Sequence, residues 1–479
     1  MSVLIIDVGT SSIRVARAAP DGTLSGERRA PALPITPAPG LVEFDAEALG
    51  NSALRLAGES IEADGAPDGV AITNQRASAV VWDPSTGRPV APGQGWQDLR
   101  TVGDCLVLAA EGLRLAPNHS ATKMANLLNE HDPDRSRGLL CGTIDTFLAW
   151  TLSGGATFVT DASNASMTGL TTVGADAWNP AVIEKLNIPL ASLPSIGDSL
   201  GRLGSLDRLA GGPPLLAVLG DQQASMIGQG AVVPDAAKAT FGTGAMLDVC
   251  TPGDRPTEPR TAAGCFPIAG WSVGGTRTWA LEAIMLSAGT NVEWLRDDLE
   301  LFGDAADSDA LAASVDDADG VVFVPAPLGL GTPHWDYGAR SGLFGLTRGT
   351  TKAHVTRAVL EGVAQRGAEL LAAAEADSGA DIDALRIDGG MSLNATFVQA
   401  LANAITRPVE VSPVLEATAR GGGLAAGVAL GWFDSVPALA ELWQPAEVVE
   451  PTGEFNGERW AEAVRRVGHW HPDLSAIEF

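Results

Sequence analysis

Residues 3–16 read VLIIDVGTSSIRVA: a branched apolar run that ends in Asp7, a glycine–hydroxyl bend, and a second apolar run. The plan returns at residues 237–250, AKATFGTGAMLDVC, with Gly-Thr-Gly at the bend. Short runs rich in Val, Ile and Leu and bounded by turn residues favour strands over helices. A chain that opens each half with the same strand–turn–strand unit is constrained to a duplicated α/β architecture with a cleft between the halves. The bends also carry chemistry. Glycine, threonine and serine at a tight turn leave N–H groups and hydroxyls unpaired, which makes an anion cradle. One cradle per half, facing a shared cleft, can grip a triphosphate from both sides.

The other segments fit that plan. Residues 3–30 read as a meander with Asp21-Gly22 as a hairpin signal. Residues 68–75 and 78–90 read as further strands. Residues 213–231 read as an apolar strand that ends at Gly220-Asp221, followed by a helix. In HVTRAVLEGVAQRGAELLAAAEA (354–376), Val355, Ala358, Val359, Gly362 and Val363 share one helical face. Residues 384–405 predict strand, glycine turn and helix, and 421–433 predict a small-residue helix suited to close packing. The expected division is an N-terminal domain over 1–230, a C-terminal domain over 231–435 and a helical extension over 436–479.

Composition narrows the partners. At 479 residues the chain is long enough for two cores, and its net charge of −27 argues against a nucleic-acid binder. An anion can still bind in a local pocket. Lysine is confined to Lys123, Lys185, Lys238 and Lys352, so phosphate chemistry must lean on arginine, backbone N–H groups, hydroxyls and metal. Cys105, Cys141, Cys250 and Cys265 are scattered, which predicts reduced, buried thiols and no zinc site. With no basic leader and no run long enough to span a membrane, the expected compartment is the cytoplasm.

Asp7, beside the first cradle, could hold a Mg²⁺ directly or through water, and Arg14 could reach a terminal phosphate. Asp221 ends an apolar strand and precedes a helix. It could take the proton of an attacking hydroxyl, although in isolation such an aspartate is more often an N-cap. Arg76, Trp96 and Asp98 sit on apparent loops and suit recognition of hydroxyls and stacking on a sugar face. The paired glycines of RIDGGMSLN permit close approach to a flat ligand such as adenine. Neither GxxxxGK[ST] nor the protein-kinase motif set occurs anywhere in the chain.

Taken in order, DVGTSS-x-R, ITNQR, GWQD, GDQQA, FGTG, PHWD and DGG resemble the FGGY family of carbohydrate kinases, its glycerol-phosphorylating members most closely. SGLFGLTRGTTKAHVTRAVLE (341–361) matches the family's C-terminal signature, and the likeness spans roughly residues 3–433. The resemblance implies a two-domain actin/hexokinase-like (ribonuclease H-like) fold in which ATP and a small polyol or sugar meet in the cleft. It implies Asp7 for Mg²⁺, and Thr10, Ser11 and Arg14 for phosphate. Thr243 and Gly244 would form the second phosphate loop, with Gly289, Gly390 and Asn394 bordering the adenosine. Asp221 is implied as catalytic base with Gln222 beside it, and Arg76 and Trp96 as acceptor contacts. A homodimer is left open.

Three positions depart from the family pattern. Ala77 stands where a glutamate usually binds two acceptor hydroxyls. Asn118 and Asn126 replace a tyrosine and a tryptophan, and Met246 replaces an aromatic pocket wall. These changes touch the acceptor pocket and leave the phosphate machinery alone. Either neighbouring side chains compensate and glycerol fits, or a wider pocket takes a longer polyol or a ketose such as erythritol, xylulose or ribulose. Outside enzymes, a non-catalytic sensor of the same fold would have no need for Asp7, Thr10, Arg14, Asp221 and Thr243 together.

Overall fold

In the computed structural model, which describes all residues except 252, 254, 256, 257, 454, 478 and 479, each half is built around one large mixed sheet, beside smaller ones. β1 (Val3–Val8) pairs antiparallel with β2 (Ser12–Ala18), and β2 with β3 (Leu24–Pro31). On its other side β1 runs parallel to β4 (Gly69–Asn74). β5 (Leu200–Ser205) and β6 (Pro214–Gly220) complete the order β5-β6-β4-β1-β2-β3. Every residue of β1 and β4 is buried, as expected of parallel central strands covered on both faces.

Period-2 alternation along β1 decides which side each residue serves. Leu4, Ile6 and Val8 pack with α1 (Ala46–Asp64), while Val3 and Ile5 join the cluster on the opposite face. Asp7 continues that second set. Helices α2 (Ser120–His131) and α3 (Ile144–Ser153) belong to the same lobe. α4 (Asp221–Gly228) starts directly where β6 ends.

The second lobe repeats the design. β7 (Ala237–Phe241) pairs antiparallel with β8 (Ala245–Cys250). β9 (Phe266–Val273) and β10 (Thr276–Met285) extend the antiparallel side, and β11 (Leu385–Asp388) runs parallel to β7. β12 (Val409–Val411) and β13 (Glu447–Val449) finish the order β9-β10-β8-β7-β11-β12-β13. α5 (Lys352–Ser378), with a Thr351 cap and a left-handed Gly379 stop, packs with α6 (Ala395–Ile405) on one face.

α7 (Ala417–Ala429) leaves the second sheet and joins Val3, Ile5, Ala71 and Ile227 in the cluster on the first lobe. It crosses α4 at backbone contact. A Cβ on Gly421 would fall 1.7 Å from the Ala224 carbonyl oxygen, and one on Gly228 would fall 2.0 Å from that of Ala417. The small residues of 421–433 are therefore required where the two lobes join.

The segment 436–479, expected to be a helical extension, instead contributes β13 as well as α8 (Gly457–Val467). Without β13 the outer edge of β12 would present unpaired N–H and C=O groups. All four cysteines are free and buried, and burial pushes the Cys141 and Cys250 thiols up to about 12. Among the described residues, no helix is long and apolar enough to cross a membrane.

Candidate active site

Asp7 lies at the end of β1, directly across from Arg14 on β2 and Thr73 on β4. Its Oδ1 accepts from the Thr73 hydroxyl at 2.8 Å, and Arg14 Nη1 approaches its Oδ2 at 3.4 Å. Burial pushes the Asp7 carboxyl up to about 6; Arg14 and Thr73 oppose this, and the charges of Asp221 and Glu416 add to it. Asp221 is thus near enough for its field to be felt. Arg14 is held on its far side by Glu416, whose Oε1 accepts from Nη2 at 2.6 Å and which also pairs with Arg29 at 2.7 Å. The bend between β1 and β2 leaves Ser11 exposed and Thr10 half-buried, and the Trp96 indole N–H approaches the Thr10 hydroxyl at 3.4 Å.

Asp221 opens α4, with Gly220 in the N-cap position, and its Oδ1 accepts from the Gln222 N–H at 2.8 Å. The bulk of Arg76 lies over Gly220, where a Cβ would meet the Arg76 side chain at 2.7 Å. Arg76 Nε is 3.4 Å from Asp221, and Nη2 donates to Glu282 of β10 at 2.6 Å. Burial raises the Asp221 carboxyl above the ordinary aspartate range against the pull of Arg76. Gln222 is turned toward the second lobe, its Oε1 accepting from Lys238 Nζ at 2.6 Å. Sequence reasoning missed Thr73, Lys238, Glu282 and Glu416. The available signal was a charge inside an apolar strand run, as in KATF and WALEAIM.

The other acceptor candidates separate. Ala77 is buried at a positive φ of 63°, and its carbonyl accepts from Ser120. Met246 is half-buried on β8, opposite Thr240. Asn118 is exposed on the loop before α2. Asn126 accepts from Gln94 Nε2 at 2.7 Å, so a polar pair occupies that position. Asp98 is engaged by the protein itself. It is fully buried, with its two oxygens taken by Arg100 Nε and Nη2, the Arg100 N–H and the Val42 N–H. Against burial, those bonds hold its carboxyl below the usual range. Asp98 clamps a loop because its strongest partner stands two residues away in sequence.

In the second lobe the Gly242–Gly244 bend leaves Thr243 exposed and packs against 287–290. The Thr243 carbonyl accepts from the Ala288 N–H at 2.8 Å, and the Gly289 N–H donates to Gly242 at 2.8 Å. A Cβ on Gly244 or on Gly289 would fall 2.6 Å from a backbone oxygen. The glycine pair after β11 divides its work. Gly389, at φ 89°, would clash with Phe241 if it bore a Cβ, whereas Gly390 is exposed and faces open space. Asn394 caps α6 through the Phe397 N–H at 2.9 Å and donates to Ser308 at 3.0 Å.

No group of three or more metal-ligating side chains occurs among the described residues. Mg²⁺ prefers one or two carboxylates plus substrate phosphates and water, so a lone Asp7 beside an open hydroxyl turn fits it. Two sheets of similar design, each with a glycine–hydroxyl bend between its first two strands, suit a protein that holds the phosphates of a nucleotide. The family model for the N-terminal domain of FGGY carbohydrate kinases matches residues 2–228, and that for the C-terminal domain matches 237–430. The chain belongs to the FGGY family of carbohydrate kinases: it is an ATP-dependent kinase of a sugar or polyol, with Mg²⁺ as its metal cofactor.

Among its relatives, glycerol kinase of Bordetella parapertussis is 39% identical over 98% of this chain and 97% of its own length. Glycerol kinase of Deinococcus radiodurans is 36% identical over 99% of each. The structure of Plasmodium falciparum glycerol kinase with ADP superposes with a TM-score of 0.88 at 26% identity, over 100% of this chain and 99% of that one. A xylulose kinase from Rhodospirillum rubrum shares the fold, with a TM-score of 0.84 at 21% identity, over 99% of this chain and 100% of that one.

Proposed function

We propose that this kinase transfers the γ-phosphoryl group of ATP to a terminal hydroxyl of a small linear polyol, with glycerol as the reference acceptor. The observation that carries the proposal is the Asp221 carboxylate at the start of α4, paired with Arg76 and electrostatically coupled to Asp7. Asp221 accepts the proton of the attacking hydroxyl, and burial, by raising its carboxyl above the ordinary aspartate range, makes it a stronger base. Arg76, Trp96 and Gln222 orient the acceptor, while Ala77, Asn118 and Met246 shape its pocket. Thr10, Ser11, Arg14, Thr243 and Gly244 receive the phosphates, and Gly289, Gly390 and Asn394 border the adenosine. Asp7 would hold Mg²⁺, which offsets phosphate charge. The protein's remaining work is positioning and exclusion of water.

Ala77 and Met246 favour a second reading, in which a wider pocket accepts a longer polyol or a ketopentose. A coupled ADP-release assay over glycerol, tetritols, pentitols, ketopentoses and hexoses decides between them. The expected result is release that depends on the added polyol, with the highest kcat/KM for glycerol. ADP release independent of every acceptor would overturn the assignment of the pocket, and a tetritol or ketopentose far ahead of glycerol would select the second reading.

A further inference from the structure

Lys238, Asp248 and Glu282 stand directly across from one another on β7, β8 and β10. Each is 1% exposed or less. Lys238 Nζ lies 2.6 Å from Asp248 Oδ2. The row therefore places two carboxylates and one ammonium inside the second lobe. The missing positive charge comes from the first lobe, where Arg76 donates to Glu282 at 2.6 Å. Gln222, next to Asp221, answers Lys238.

A buried ion pair is weak evidence for stability, because packed apolar side chains often do as well. What it can supply is a fixed direction for a planar guanidinium. Arg76 spends Nη2 on Glu282 and approaches Asp221 with Nε, and its Nη1 is buried with no partner. One donor is thus left over beside the carboxylate assigned as base.

We infer that Glu282 is a positioning residue for the acceptor site: from the opposite lobe it holds Arg76 so that Nη1 is offered to an acceptor hydroxyl and Nε to Asp221. The inference rests on the reading of Arg76 and Asp221 given under Proposed function. Because the two partners sit on different lobes, Arg76 is correctly aimed only when the lobes are together. Acceptor binding and closure then favour each other reciprocally.

Glu282→Gln keeps the volume and one acceptor oxygen and removes the charge. The expected result is an acceptor KM raised by about tenfold or more, with the KM for ATP and the nucleotide Kd within about twofold of the parent. Burial raises Glu282 to about 7, with Arg76, Asp248 and Lys238 as the charged groups facing it. The parent's acceptor KM should therefore fall as pH rises from about 6 to about 8, and E282Q should flatten that slope. An unchanged acceptor KM in E282Q, or an equal rise in both KM values, overturns the inference. Arg76→Lys separates the two levels. If R76K raises acceptor KM and E282Q does not, only the role of Glu282 falls; if R76K leaves it unchanged, the acceptor-site assignment falls with it. Should E282Q not fold, a flat acceptor KM in the parent enzyme over the same pH range sinks the idea.

Discussion

Burial raises the carboxyls of Asp221 and Asp7, and that sets their chemistry. Asp221→Asn should lower kcat by about 10²–10⁴-fold while nucleotide and acceptor still bind by calorimetry. Near-parental turnover would remove Asp221 from the role of base. Because burial raises its pKa, kcat should decline on acidification at a pH above the ordinary aspartate value near 4. The acceptor pocket offers a second residue-level test. Ala77→Glu with Met246→Phe restores a carboxylate and an aromatic wall, so kcat/KM for glycerol relative to a pentitol should rise by about tenfold or more. An unchanged ratio would mean that neither residue reads the acceptor. The residues carrying the hydroxyl bends and Asp221 were legible because each sits at the end of an apolar run. The role of Asp98 was not, because its bond from the Val42 N–H depends on a loop closing across 56 residues.

At the scale of elements, two glycines in similar helical settings should behave oppositely. A Cβ on Gly421 would fall 1.7 Å from the Ala224 carbonyl oxygen, where backbone meets backbone and neither helix can yield cheaply. Gly421→Ala should cost about 3 kcal/mol or more, or abolish soluble expression. Gly58 of α1 has open space around its would-be Cβ, so Gly58→Ala should stabilise by about 0.5–1 kcal/mol. Urea titration of both variants checks the pair, and equal effects would contradict the crossing. The strands and long helices were readable from periodicity, and α5 runs over 352–378 where apolar spacing indicates 354–376. The partner of α7 was not readable. Its small residues announce close packing, yet nothing local says that the opposing surface is α4 of the other lobe. β13 was missed for a related reason: Glu447–Val449 becomes a strand only because the edge of β12 is open.

Across the whole molecule, acid–base balance predicts an unusual stability profile. Burial raises Asp7 and Asp145 to about 6 and Glu282 to about 7. Each folded carboxyl keeps its proton to a higher pH than the unfolded chain does, so stability falls as pH rises from about 4 toward 7. The net charge of −27 adds self-repulsion in the same direction. Against burial, Arg366, His334 and Trp460 hold Glu369 down to about 2, a contribution that is present above about 4.5 and lost on stronger acidification. The melting temperature should therefore peak near pH 4–5 and be lower at pH 8, as read by calorimetry in a constant-ionic-strength buffer. A monotonic rise to pH 8 would show that these carboxyls are not desolvated as described.

The amino-acid sequence by itself determined the duplicated strand–turn–strand plan, the open hydroxyl bends and the acid at the head of α4, because those follow from short-range periodicity and turn chemistry. Only the tertiary structure decided that Glu282 and Lys238 answer Arg76 and Gln222 across the lobes, that Glu416 holds Arg14, and that Asp98 is a loop clamp. Charge partners hundreds of residues apart are selected by burial. A carboxylate removed from water needs a counter-charge, hydrogen-bond donors or a retained proton, and which of these Glu282 finds depends on how the sheets face each other.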